Sequence, residues 1–139
     1  MIQLGTPDSP KNSDVRRYLK EFLMDPRVID IPFFSRLLLV RGIIVPFRTP
    51  KSAKIYKELW DLGNGKSPLL TYTEEVKRLL QKRFDSEDVT IEMAMRYQNP
   101  SMESVLERMR QANYEQIIIL PHRNFRFCTA QCSNSFDRR

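Results

Sequence analysis

Residues 2–10 read IQLGTPDSP, a short apolar segment that runs into a loop rich in glycine and proline. An amphipathic helical pattern follows directly, at residues 13–24. A strand, a glycine-containing loop and a helix in this order are typical of an α/β domain, in which ligands bind just beyond the carboxyl ends of the strands. We therefore expect a binding site at this loop. Because a strand usually has about 5–6 residues and only Ile2-Gln3-Leu4 precede the loop here, we also expect the chain to begin late.

The composition is that of a single globular domain. Of the 139 residues, 41% are hydrophobic and 29% are charged, which is enough for an apolar core. The net charge is +6, and residues 122–139 contribute four arginines against one aspartate, so the rest of the chain is only mildly basic. This balance argues against nucleic-acid binding and suits an anionic small ligand. Both cysteines also lie in residues 122–139, so we expect no disulfide framework and a cytoplasmic location.

Four helices are predicted before residue 85, each bounded by a proline, a glycine or a capping residue. Their predicted limits are Ser13 to Met24, Phe33 to Val45, Thr49 to Leu62 and Thr73 to Phe84. Proline has no backbone N–H and is favoured in the first turn of a helix. Pro46 is therefore predicted to end the second helix, and Thr49-Pro50 to open the third.

Two parallel strands are predicted in the last third of the chain. Residues 89–95 alternate between apolar and polar side chains, and residues 117–120 form a continuous apolar run, as in a strand buried on both faces. A helix that Asn99-Pro100 opens lies between them and carries an apolar face. Residues 89–120 should therefore form a right-handed βαβ unit on a parallel sheet. Arg96-Tyr97 would then share one sheet edge with residues 5–7.

The sequence before residue 122 contains three candidate binding residues, Arg48, Tyr56 and Ser67, which stand where loops meet helices. From the pattern alone each is more often structural, because Tyr56 also fits the core face of its helix and Arg48 also fits a solvated flank. Gly65-Lys66-Ser67 does not match a phosphate-binding loop, since Trp60 stands where that motif requires a glycine.

A metal site is not predicted. His122, Cys128 and Cys132 match no standard zinc spacing and have no fourth ligand. His122 is the single histidine of the chain, so no Ser/His/Asp arrangement is possible before it.

Six segments, in order, resemble the amino-terminal half of the bacterial ferrochelatases. They are LGTPDSP at 4–10, RRYLKEFLMDPRVIDIP at 16–32, RGIIVPFRTPKSAKIYKELW at 41–60, SPLL at 67–70, AMRYQNPS at 94–101 and IIILP at 117–121. The resemblance implies an α/β chelatase-like fold with a doubly wound parallel sheet, the first of two similar halves, in a truncated chain. It also implies insertion of Fe²⁺ into a porphyrin in haem biosynthesis.

The resemblance divides the chain in two. Residues 1–121 follow the family as an amino-terminal half-domain. Residues 122–139 depart from the family pattern, so we expect them to be an aberrant, disordered tail that comes from a frameshift or a truncated gene.

The resemblance assigns porphyrin binding to Arg48, Tyr56 and Ser67. It places the catalytic histidine and the metal-site glutamate of the family in a part that this chain does not match, so no catalytic residue and no metal ligand is expected here. Ferrous iron and porphyrin are then substrates, and no tightly bound cofactor is expected.

Residues 33–47 resemble a mobile lip over the porphyrin pocket, which implies peripheral membrane contact; the alternative is a plain core helix. The alternative function is a non-catalytic porphyrin-binding half-domain. A general anion or nucleic-acid binder is favoured only by the basic pI.

Overall fold

The computed structural model describes residues 1–84 and 88–121, and these residues combine helices with a small parallel sheet. The elements in chain order are β1 (Ile2–Gly5), α1 (Asn12–Met24), α2 (Phe33–Leu38), a π-helical segment (Leu39–Ile44), α3 (Val45–Leu62), α4 (Pro68–Arg83), β2 (Ala94–Tyr97) and α5 (Met102–Gln111). The α/β class predicted from the sequence is confirmed. The predictions for residues 85–87 and 122–139 lie outside the described residues.

The two strands pair in parallel, with Ile2 opposite Ala94 and Gly5 opposite Tyr97. Parallel strands point their carboxyl ends to the same edge, so the loop after β1 and the loop after β2 leave the sheet side by side. The prediction that these two loops share an edge is confirmed. Pro121 also pairs in parallel with Ile2, so the chain after α5 returns in the direction predicted for a βαβ unit.

Both predicted strands differ from the observed backbone in extent. β2 begins at Ala94 rather than Val89, and two of the preceding residues are hydrogen-bonded to the Gln81 side chain at the end of α4 instead of to a strand. Gln81 Nε2 donates to the Val89 carbonyl at 2.9 Å, and the Ile91 N–H donates to Gln81 Oε1 at 2.8 Å. Residues 89–91 are therefore bonded to α4, whereas the Glu92 carbonyl already accepts from the Met1 amino group at 2.6 Å, next to β1.

Residues 117–120 do not form the predicted strand with two buried faces. Their side chains are 41–71% exposed, and the Leu120 carbonyl accepts from the Ile2 N–H at 2.9 Å. Within residues 1–84 and 88–121, no element covers this apolar run. A strand is buried only when other elements pack on both of its faces, so the sequence pattern alone cannot establish burial.

The prediction that Pro46 ends one helix and that Thr49-Pro50 opens another is wrong. The chain is helical without a break from Phe33 to Leu62. In the π-helical segment the Val45 N–H reaches the Val40 carbonyl, so the hydrogen-bond pattern has already changed where Pro46, which has no N–H, enters. The Thr49 hydroxyl does not cap a helix but donates to the Val45 carbonyl at 2.6 Å.

Two further helix starts also differ from prediction. Lys11, not Ser13, precedes the first residue of α1, without a side-chain cap. Ser101, not Asn99, caps α5, and its hydroxyl oxygen accepts from the Ser104 N–H at 3.2 Å. Several serine and asparagine residues compete for each helix start, and their order along the chain does not tell which one has the extended backbone that a cap requires.

The core lies where α1 packs against α3, the π-helical segment and Tyr97 of β2. The apolar face predicted for α1 is confirmed, and its buried residues are Val15, Tyr18, Leu19 and Leu23. In α4, the helical spacing of Val76, Leu79, Leu80 and Phe84 predicts an inward face. That prediction is wrong at Val76 and Leu79, which are exposed. Among the residues described, no helix combines the length and the apolar character needed to cross a membrane.

Candidate functional site

A cleft of about 460 Å³ lies at the carboxyl edge of the sheet. Its walls come from the loop after β1, the loop after β2, the end of α3 and the start of α4. Trp60 and Leu70 give it apolar surface, while Ser67 and Glu74 give it polar groups. This is the place where a parallel α/β sheet usually binds its ligand, so it is the candidate binding site.

Gly5 lets the two strands come together at this edge. Its φ of +113° is one that side-chain-bearing residues rarely adopt. A Cβ at this position would collide with the carbonyl oxygen of Tyr97 on the neighbouring strand. The glycine in the LGTPDSP stretch is therefore required for the close approach of β1 and β2, and with it for the shape of the cleft.

Ser67 is the one predicted site residue that lines the cleft. It occupies the N-cap position of α4, which begins at Pro68, but its hydroxyl makes no hydrogen bond to the helix. The hydroxyl lies 3.0 Å from that of Thr6 in the loop after β1. The prediction that Thr73 caps this helix is wrong, because the Thr73 hydroxyl donates to the Leu69 carbonyl at 2.6 Å inside α4.

Tyr56 stands behind the cleft and not in its wall. Its ring packs edge-to-face against Trp60 at 5.8 Å between ring centroids, and against Tyr18 of the core at 6.1 Å. Burial raises the pKa of Tyr56 above its ordinary value, while the neighbouring Tyr18 hydroxyl and the positive charge of Arg48 oppose this more weakly. Tyr56 is thus a neutral phenol that supports Trp60.

Arg48 is exposed and lies two helical turns before Tyr56 on α3. Spacings of four and eight residues place Arg48, Tyr56 and Trp60 on one face of that helix. The structure therefore puts the predicted residues on one side of α3 and at the start of α4, but only Ser67 lines this cleft. Their assignment to porphyrin binding stays a prediction.

A polar network holds the two cleft loops together. Asp8 accepts from Arg17 at 2.7 Å and from Asn99 Nδ2 at 3.0 Å. Arg17 Nε also donates to Gln98 Oε1 at 2.9 Å, and the Gln98 amide donates to Glu21. The network joins α1 to both loops, so it positions the cleft walls. The sequence pattern missed it because its members are separated by up to 91 residues.

A second cluster that sequence reasoning missed lies after α1. Asp25, which directly follows α1, accepts from Arg96 at 2.8 Å and from the Tyr97 hydroxyl at 3.0 Å. Burial by itself would raise the pKa of Asp25, but hydrogen bonds from Arg96, the Arg27 N–H and Tyr97 outweigh it. The pKa of Asp25 therefore lies below its ordinary value.

The lowered pKa of Asp25 predicts that stability depends on pH. Because this pKa is lower in the folded than in the unfolded chain, the ionised carboxylate stabilises the fold above the ordinary value of about 3.9. The contribution is lost as pH falls through the folded pKa. Asp25→Asn should lower the free energy of unfolding at pH 7 by about 1–2 kcal/mol and flatten its decline below pH 4.

Urea unfolding between pH 3 and pH 7 measures this effect. Glu75→Gln, which removes an exposed pair with Arg78 on one helix, is the control and should leave the pH profile nearly unchanged. Equal profiles for Asp25→Asn and the unsubstituted chain would show that Asp25 does not couple stability to pH.

In the described part of the chain, no group of three or more His, Cys, Asp and Glu side chains is arranged to hold a metal ion. The polar chemistry of the cleft is that of hydroxyls, an amide and two carboxylates beside apolar walls. Such a lining suits an organic ligand whose polar groups are directed by a few hydrogen bonds.

Comparison with known proteins shows to which family the chain belongs. The family model Ferrochelatase matches residues 1–138. The chain is 43% identical over 123 residues to Ferrochelatase of Actinobacillus pleuropneumoniae serotype 5b (strain L20), and the match covers 87% of this chain and 38% of that protein. It is 42% identical over 121 residues to Ferrochelatase of Coxiella burnetii (strain RSA 493 / Nine Mile phase I), with 87% of this chain and 33% of that protein covered.

Ferrochelatase of Proteus mirabilis (strain HI4320) is 41% identical over 121 residues, with 87% of this chain and 36% of that protein covered. The chain thus spans between a third and two-fifths of the length of these curated relatives. No solved structure matches it significantly. With a family model that matches nearly all of its residues, the chain belongs to the ferrochelatase family.

Proposed function

We propose that this chain contributes the porphyrin-binding, amino-terminal part of a ferrochelatase, an enzyme that inserts Fe²⁺ into a porphyrin in haem biosynthesis. The observation that carries this proposal is the family match over residues 1–138. In the reaction, Fe²⁺ enters the macrocycle and two pyrrole N–H protons leave, so the charges balance. Porphyrin and ferrous iron are both substrates in this proposal, and neither is a resident cofactor.

The cleft suits the carboxylate-bearing edge of a porphyrin. Ligand pockets usually measure about 300–1,000 Å³, so a cleft of about 460 Å³ is large enough to receive the edge of a macrocycle. Trp60 and Leu70 offer apolar contact to the ring, and the Ser67 hydroxyl offers a hydrogen bond to a propionate. Arg48, which is exposed on the same side of α3, offers a charge-assisted hydrogen bond to a propionate.

We also propose the finer architecture: a doubly wound sheet that is the first of two similar halves, with residues 1–121 as the half-domain. The exposed apolar run at residues 117–120 and the exposed Val76 and Leu79 support this. Exposed apolar side chains in such number are typical of an interface with another part of a protein. The relatives that the chain matches are more than twice its length, which leaves room for a second half.

Peripheral membrane contact through residues 33–47 is a further part of the proposal. Val40 and Val45 of this stretch are buried, whereas its exposed large apolar side chains are Phe33, Phe34, Leu38, Ile43 and Phe47. One face therefore packs on the core and the other presents aromatic rings, as in helices that lie at a membrane interface. The cytoplasmic location stays a prediction.

Porphyrin binding by the 139-residue chain tests the proposal. The chain should quench the fluorescence of mesoporphyrin IX in a saturable titration. Arg48→Ala and Ser67→Ala should each weaken binding about tenfold, because each removes a hydrogen bond to a charged carboxylate worth about 1.5 kcal/mol or more.

Lys54→Ala is the matched control, since Lys54 is an exposed cation on another face of α3. It should bind mesoporphyrin like the unsubstituted chain. If all three variants bind equally well, the assignment of Arg48 and Ser67 is wrong. If the unsubstituted chain shows no saturable binding, the proposed function of this chain is wrong.

A second candidate, a non-catalytic porphyrin-binding half-domain, is favoured by one observation. The chain has a single histidine, His122, and none in residues 1–121. Histidine is the commonest proton acceptor in enzymes, so a binding role needs fewer groups than a catalytic one. Metal insertion by the 139-residue chain would rule out this second candidate, whereas both candidates expect no insertion by the chain alone.

A further inference from the structure

We propose that Thr6 is a positioning residue that directs the Ser67 hydroxyl towards a bound carboxylate. The inference rests on the proposed porphyrin function and deepens it. The Thr6 and Ser67 hydroxyl oxygens lie 3.0 Å apart, although the residues are 61 positions apart in the sequence. Both line the cleft, and they are 7% and 4% exposed.

The position of Ser67 makes this contact unusual. A serine in the N-cap position ordinarily accepts from a backbone N–H of the first helical turn. Ser67 makes no such bond, and Thr6 is its hydrogen-bond partner. The Ser67 hydroxyl is therefore turned away from its own helix and towards the loop after β1.

The chemistry of two hydroxyls then sets their roles when a carboxylate binds. A serine hydroxyl has one O–H and two lone pairs, and a carboxylate only accepts. If Ser67 donates its proton to the carboxylate, its oxygen can receive the proton of Thr6. Thr6 donates to Ser67 and Ser67 donates to the ligand, and each bond polarises the next.

Thr6 is well placed for this role because its backbone is held on both sides. Gly5 fits closely against Tyr97, and Asp8 is bonded to Arg17 and Asn99. A positioning group of this kind must be held firmly by its surroundings to orient another side chain.

Thr6→Val tests the inference because valine keeps the shape of threonine and lacks the hydroxyl. The probes are mesoporphyrin IX and its dimethyl ester, which has no charged carboxylate, in the same detergent. We expect Thr6→Val to weaken binding of the acid about fivefold and to leave binding of the ester within twofold. Thr6→Ser, which keeps the hydroxyl, should bind the acid like the unsubstituted chain.

A double-substituted chain shows whether Thr6 acts through Ser67. If it does, Thr6→Val combined with Ser67→Ala should bind the acid no more weakly than Ser67→Ala alone. If the losses of binding free energy for the acid in the two single variants add fully in the double variant, the inference is wrong. It is also wrong if Thr6→Val binds the acid as tightly as the unsubstituted chain.

Thr73→Val is the control for loss of a buried threonine hydroxyl, since Thr73 bonds to Leu69 within α4 and does not line the cleft. Equal weakening of acid binding by Thr73→Val and Thr6→Val would show a general structural effect and overturn the inference.

If circular dichroism shows that Thr6→Val does not fold, Thr6→Ala is measured with the same two probes and the same criteria. If the unsubstituted chain binds neither probe, the proposed function is wrong as well. If the unsubstituted chain and Thr6→Val bind each probe with the same affinity, only the inference about Thr6 is wrong.

Discussion

Gly5→Ala is expected to lower the free energy of unfolding by about 3–5 kcal/mol, a large part of the 5–15 kcal/mol typical of a domain. Two effects add. Alanine is strained at a φ of +113°, and its Cβ would collide with the Tyr97 carbonyl oxygen, which is backbone and cannot rotate away. Relief requires β1 and β2 to separate at the cleft. Urea unfolding followed by circular dichroism measures the loss.

Gly65→Ala is the matched control. Gly65 also has a positive φ, +82°, but no heavy atom lies within 4 Å of a Cβ built there. Alanine at residue 65 should therefore cost only the backbone strain, about 1–2 kcal/mol. If the two substitutions lower the free energy of unfolding equally, the collision of the added Cβ with the Tyr97 carbonyl oxygen contributes nothing beyond backbone strain.

Metal insertion by the 139-residue chain is expected to be no faster than in buffer, even where porphyrin binds. The reaction must remove two pyrrole protons, which requires a positioned base, and must deliver the ion. Residues 1–121 contain no histidine, and the residues described hold no cluster of metal-ligating side chains. Mixing the chain with Zn²⁺ or Fe²⁺ and mesoporphyrin, and following the absorbance change, measures the rate. A full-length family member serves as the positive control.

Turnover clearly above the buffer rate would show that residues within 1–139 suffice for catalysis. His122→Ala would then identify the base, because loss of turnover in that variant would assign proton removal to the single histidine. Turnover that survives this change would require another base in the chain.

Much of the local structure could be predicted from short-range patterns. The apolar residues of α1 recur at helical spacing, and they are the ones buried against α3. The glycine-containing loop after an apolar segment predicted a binding edge, and a cleft lies there. Both inferences depend on residues within a few positions of one another, for which helical and strand periodicity are reliable guides.

Helix boundaries at proline could not be predicted in the same way. Pro46 and Pro50 each carry a signal that can end or open a helix, yet one helical path runs through both. The π-helical segment before Pro46 changes the hydrogen-bond pattern, and Thr49 is buried and bonded to Val45. Packing of Val40 and Val45 on the core outweighs the local preference to stop.

The sequence alone established the α/β class, the parallel direction of the chain segments and the loop that borders the cleft. Folding in three dimensions determined which polar groups meet there. The Ser67 hydroxyl is hydrogen-bonded to that of Thr6, and Asp25 accepts from Arg96 and Tyr97. The Gln81 side chain is hydrogen-bonded to the backbone of Val89 and Ile91. Such pairs join residues far apart in the chain, and a hydroxyl or carboxylate can bond with many partners. Only the packing of helices and strands brings one partner within hydrogen-bond distance and moves the others away.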